Sequence, residues 1–248
     1  MLLLAFDTTA PACSIALVRD GSVIGGVREL MPQGQAEALV PLIERVMDEA
    51  GVSYAALDRI AVTVGPGSFT GVRVGLSTAR ALGLAAGKPV IGVSSLDVLA
   101  AAVPEDERGA EISILAAADT KRGEVYIQPF CATDGAPEGA PVALAPENIA
   151  PWLNDNPRLA GKTFILVGDG TALVRQVLPQ ARCSAVSPLP DAAVLARIAA
   201  QREPDAAGPL PLYVLPPRIT LAPHGGRLRP ASENADGRLR PGPETSQA

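Results

Sequence analysis

The residues whose type and spacing could do chemistry are concentrated in "VGPGSFTGVRVG", 64–75, where four glycines and a proline separate a β-branched run from a helix-like one. Strand, glycine loop and helix is the order used to hold anions, because a helix N-terminus offers free N–H groups and the positive end of its dipole. The spacing here is G-x-G-x-x-x-G, one residue away from the dinucleotide fingerprint. No Lys-Ser or Lys-Thr follows Gly71, and the next basic residue is Arg73, so the phosphate-loop pattern fails as well. Histidine chemistry has a single candidate, His224, inside a proline-, glycine- and arginine-rich tail. Cys13, Cys131 and Cys183 are odd in number and widely spaced, which argues against a disulfide framework or a zinc site. No catalytic residue, metal site or bound cofactor is expected. Two weaker candidates for nucleotide or nucleic-acid contact remain. Asp7 and Thr8 follow the first strand, and Lys121 and Arg122 lie on a charged turn. The plain alternatives are an Asx turn and a solvated turn.

The same glycines allow another use. Gly71, Gly75, Ala79, Gly83 and Gly87 recur every four residues and form one ridge of a helix with almost no side chain. Glycine inside a helix costs about 1 kcal/mol relative to alanine. Such a cost fits a position where another backbone comes very close. That neighbour is either the chain's own sheet or a second chain.

The elements that must position these residues follow from periodicity. Strands are predicted over 2–9, 12–21 and 22–30, with Asp20-Gly21 as a hairpin turn between the second and third. A helix follows in "GQAEALVPLIERVMDEAG", its apolar stripe formed by Leu39, Ile43, Val46 and Ala50, widened by Leu42 and Met47. Pro41 should bend it or mark its first turn. A strand over 57–64, a helix over 70–87, a strand over 88–95 and a helix over 95–103 complete a first lobe, 1–103. A charged break at 104–111 opens a smaller lobe, 104–215, with strands at 112–120, 123–130 and 162–170. Its last helix, 191–203, is expected to pack back on the first lobe. Both lobes begin with a strand ending in Asp-Thr, which suggests an internal duplication. From 216 to 248 the sequence has no periodicity and reads as a disordered tail. With 21 basic against 26 acidic residues the net charge of −5 argues against a protein that binds nucleic acid by its own field. No run approaches the length of a membrane span, so a cytoplasmic α/β protein is expected.

"AVTVGPGSFTGVRVGLSTARALG" resembles the signature of the TsaB (YeaZ) family, as do "LLAFDTT", "ALVPLIERVMDEAG", "PVIGVSSLDVLA", "ADTKRGEVYIQPF", "VGDG" and "PLPLYV". The match runs in order from residue 1 to about 215. The resemblance implies an ASKHA fold (actin-like ATPase and sugar kinase), two lobes each with a mixed β-sheet and flanking helices. It also implies a catalytic paralogue, TsaD, whose two metal-binding histidines would fall at Ser95 and Leu99, neither suited to the role. The implied function is a non-catalytic subunit that dimerises with TsaD for threonylcarbamoyl transfer to tRNA. The ATPase TsaE joins the pair, tRNA is met only through the complex, and a homodimer forms when the chain is alone. The implied partner surface uses the helices 35–50 and 70–86, with Leu39, Ile43, Val46, Met47, Gly71, Gly75, Ala79 and Gly83 as its expected contacts. The competing reading is an active ATPase or peptidase-like enzyme of the same fold.

Overall fold

Among the described residues, ten strands fall into two five-stranded sheets. The computed structural model of the chain describes residues 1–215, so the predicted tail lies outside the described residues. The first sheet contains β1 (Leu2–Asp7), β2 (Ala12–Arg19), β3 (Ser22–Leu30), β4 (Arg59–Thr63) and β5 (Val90–Val93). β1, β2 and β3 form an antiparallel meander, while β4 and β5 add in parallel to give the order β3-β2-β1-β4-β5. Asp20 and Gly21 turn the β2–β3 hairpin with φ of 48° and 83°, the left-handed pair that a two-residue turn requires. The parallel strands need crossovers. These are α1 (Gln35–Glu49), which continues through the exposed Pro41, and α2 (Phe69–Ala86).

The run "LLLAF" is apolar without interruption because both faces of β1 are covered. Leu2, Leu4 and Phe6 pack with α1 and α2. Leu3 and Ala5 pack on the opposite face with α6 (Ala192–Ala200).

The second sheet repeats this plan. It contains β6 (Ile112–Asp119), β7 (Val125–Cys131), β8 (Val142–Leu144), β9 (Thr163–Val167) and β10 (Arg182–Cys183). From its other end the order reads β8-β7-β6-β9-β10, the same meander followed by two parallel strands. The duplication expected from two Asp-Thr endings is therefore a duplication of topology. One face carries α4 (Pro146–Asp155) and α5 (Thr171–Val177). The other carries α3 (Ser95–Ala102), whose Leu96 and Leu99 bury against Ile114, Phe130 and Ile165. Sequence places α3 with the first lobe, but its apolar face packs on the second sheet. α6, encoded last, lies on the first. Residues Met1–Leu215 form one compact unit.

Candidate functional site

The glycine loop is built around the end of β1. Ser68 caps α2, its side chain accepting from the Gly71 N–H at 3.2 Å, and its own N–H donates to the Thr9 carbonyl at 2.8 Å. The Thr8 hydroxyl donates to the Gly71 carbonyl at 2.7 Å. A β-carbon on Gly71 would overlap the Thr8 carbonyl, and one on Gly67 would stand 2.5 Å from the Thr9 carbonyl oxygen. The Ser95 N–H donates to the Gly65 carbonyl at 2.9 Å, and its hydroxyl to that of Pro66. The loop that could have cradled a phosphate is packed against Thr8, Thr9 and Ser95.

The glycine ridge faces inward as well. A β-carbon on Gly75 would meet the Thr8 hydroxyl at 2.8 Å and Val62 at 3.2 Å, and one on Gly83 would meet Val90 at 2.6 Å. Ala79 is fully buried, while Gly87 is not part of the ridge but the left-handed cap of α2 at φ 65°. Leu39, Ile43, Val46 and Met47 are at most 2% exposed and belong to the same core. The eight expected partner contacts are thus corrected: all eight residues are buried where α1 and α2 pack on their own sheet. Repetition at four residues reports a close approach, and here the approaching groups are the end of β1, Val62 and Val90.

Asp7 is buried. Its Oδ1 accepts from the Thr9 N–H at 3.2 Å, the Thr9 hydroxyl at 2.6 Å and the Thr63 hydroxyl at 2.5 Å, so the expected Asx turn is present. Its Oδ2 is buried without a hydrogen-bond partner. Burial raises its pKa, against the hydrogen bonds from Thr63 and Thr9. Asp119 ends β6 as Asp7 ends β1, but in a different setting. The Lys121 ammonium lies 2.8 Å from Asp119 and 3.3 Å from Asp169, and Asp169 also accepts from the Asp119 N–H at 2.9 Å. Burial opposes ionisation of Asp119, but the hydrogen bonds and charge of Lys121 outweigh it and lower the pKa. Arg122 is exposed on the same turn, its N–H donating to the Thr120 hydroxyl. Asp7 and Thr8 lie at the end of β1 in one sheet, Lys121 and Arg122 on the turn between β6 and β7 of the other. Sequence spacing gives no sign that Asp169, carried by "VGDG", joins this group, because its contact spans fifty residues.

What α1 and α2 turn outward is different in character. α1 exposes Glu37, Glu44, Asp48 and Glu49, with Val40 among them. α2 exposes Arg73, Ser77, Ala81 and Leu84, the last at 88%. At its start, Phe69 and Tyr213 face each other with ring centroids 5.6 Å apart, and the Arg73 guanidinium lies 3.3 Å from the Phe69 centroid. Tyr213 belongs to an irregular strap after α6. The strap is anchored by the Leu212 N–H on the Val64 carbonyl (2.8 Å) and by Arg80 donating to the Pro209 carbonyl (2.6 Å). Nothing periodic in "GPLPLYV" signals that role.

Ser95 and Leu99 are each 2% exposed, Leu99 inside the core of the second sheet. Among the described residues no group of three or more His, Cys, Asp and Glu could hold a metal ion. No helix among them is long and apolar enough to cross a membrane. Cys13 is buried, which pushes its thiol up to about 11.

Two sheets of identical order with helices between and outside them define a two-lobed protein of the ASKHA fold. Residues 24–210 match the model of the family described as TsaD, tRNA N6-adenosine threonylcarbamoyltransferase. The chain belongs to the TsaB (YeaZ) branch of this group. It is 39% identical over 126 residues to the tRNA threonylcarbamoyladenosine biosynthesis protein TsaB of Escherichia coli, covering 51% of this chain and 53% of that protein. It is 36% identical over 126 residues to TsaB of Haemophilus influenzae, covering 51% and 52%. The chain thus spans about half the length of these curated relatives. A Pseudomonas aeruginosa structure, described as an uncharacterised protein with similarity to the peptidase YeaZ, superposes with a TM-score of 0.73 at 35% identity. The superposition covers 86% of this chain and 99% of that one.

Proposed function

We propose that the chain is a non-catalytic subunit in the formation of threonylcarbamoyladenosine on tRNA, acting by pairing with a TsaD-type transferase. The observation that carries this reading is the packing at the head of α2: the carbonyls of Thr8 and Thr9 lie directly against Gly71, Gly67 and Ser68, so the glycine loop is packed against the chain's own backbone. Ser95 and Leu99, at the positions of the metal-binding histidines in the paralogue, are both buried. One bonds a backbone carbonyl and the other fills a core. Catalysis belongs to the transferase, and this chain contributes a surface.

The surface is the outward side of α1 and α2, with Val40, Arg73 and Leu84 as its contacts in place of the buried residues. Without the transferase the same side pairs with a second copy. A TsaE-type ATPase joins the heterodimer, tRNA is met through the assembly, and the site of action is the cytoplasm. Reconstitution tests the reading. Threonylcarbamoyl-adenylate, tRNA and the transferase should give modified tRNA efficiently only when this chain is added, and this chain without the transferase should give none. Modification by the chain alone, or hydrolysis of ATP by it, would support the enzyme reading instead.

A further inference from the structure

The two exposed arginines of α2 have different surroundings. Arg80 is engaged with the Pro209 carbonyl at 2.6 Å. Arg73 is stacked, its guanidinium carbon 3.3 Å from the Phe69 centroid and 5.8 Å from that of Tyr213. Among the described residues no carboxylate is within ion-pair distance of it. A guanidinium lying on an aromatic face keeps its in-plane N–H donors at the edge, where a planar carboxylate can accept two of them. The rings also fix the side chain beforehand, so little rotamer entropy is lost when an acid arrives. One and two turns further along the helix stand Ser77 and Ala81, both exposed and small, followed by the exposed Leu84. A partner helix can therefore lie close to α2, with an acid at one end and an apolar contact at the other. Beside it, α1 shows the opposite charge through Glu37, Glu44 and Asp48.

We infer that Arg73, held in place by Phe69 and by Tyr213 of the strap, is the specificity-determining contact of this surface and takes a carboxylate from a helix of the transferase partner. The inference rests on the proposed function and adds the chemistry of the partner. It also gives the strap a role, since Tyr213 is the flanking ring that fixes the arginine.

The test is titration of the full chain with the TsaD-type transferase of the same organism, by calorimetry at low and moderate salt. Arg73→Glu should abolish binding. Arg73→Lys and Phe69→Leu should each weaken it about tenfold, because lysine cannot fork onto a carboxylate and leucine cannot hold the guanidinium. Reversal of one acidic residue on the transferase helices should restore binding to Arg73→Glu. Because Arg73 is exposed, melting curves should be unchanged; should Arg73→Glu fail to fold, the lysine variant and its salt dependence carry the test. Wild-type binding with unchanged affinity in Arg73→Glu and Arg73→Lys would overturn the inference and leave the proposed function standing. Arg73→Glu disrupting only a homodimer would assign the carboxylate to a second copy and also overturn it. No binding of the wild-type chain to the transferase would overturn the proposed function itself.

Discussion

The Thr8 carbonyl occupies the position a β-carbon on Gly71 would need, and the Thr8 hydroxyl donates to the Gly71 carbonyl at 2.7 Å. The end of the first strand and the start of the second helix are thus in close contact at the glycine loop. One pair of residues explains both why the sequence needs glycine here and why the loop is an internal joint.

Gly71→Ala should therefore cost stability at the upper end of overpacking effects, about 3 kcal/mol or more, since backbone has to move on both sides. Gly75→Leu should prevent folding, because Thr8 and Val62 already stand 2.8 and 3.2 Å from a mere β-carbon. Urea unfolding followed by circular dichroism measures both. A well-folded Gly75→Leu chain would mean that the ridge faces outward after all.

Much of this arrangement is legible in the sequence, and the rest is hidden for identifiable reasons. Strands such as "LLLAF" and "RIAVT" and the stripe of α1 are visible because apolar spacing responds directly to the covered faces. The glycine ridge is visible as a close approach, but sequence spacing carries no information about which chain approaches. α5 spans seven residues and β10 two, too short for a period to register. The strap that delivers Tyr213 is irregular, and its bonds to Val64 and Arg80 join positions more than a hundred residues apart.

Asp7 provides a pH test. Its pKa in the folded chain is raised by burial, so the native state binds its proton more tightly than the unfolded chain does. The resulting stability is fully present below the ordinary value of 3.8 and is lost as pH rises through the folded value. Unfolding free energy should fall more steeply over that window in the wild type than in Asp7→Asn. Parallel pH profiles would show that the buried carboxyl carries no such linkage.

Asp119 should behave in the opposite sense. Lys121 holds its pKa below the ordinary value, so its contribution is present above the unfolded carboxylate range and is lost as pH falls through the folded value. Lys121→Met should raise the Asp119 pKa in a carboxyl NMR titration. Because Lys121 is largely exposed, the change in stability should stay under about 1 kcal/mol.

On the outward side, Leu84→Asp and Val40→Asp should leave folding stability within about 0.5 kcal/mol of the wild type, since neither side chain is in the core. Both should weaken association, whether with a second copy or with the transferase. Sedimentation velocity over a concentration series would report it. Unchanged association in both variants would move the interface off these helices.

The most direct test of the account is to mix the full chain with the TsaD-type transferase of its organism and measure mass by light scattering on a sizing column. A one-to-one heterodimer, formed at the expense of the homodimer and lost in Leu84→Asp but not in a distant surface variant such as Arg122→Ala, is the predicted result. Two species eluting separately at every concentration would contradict it.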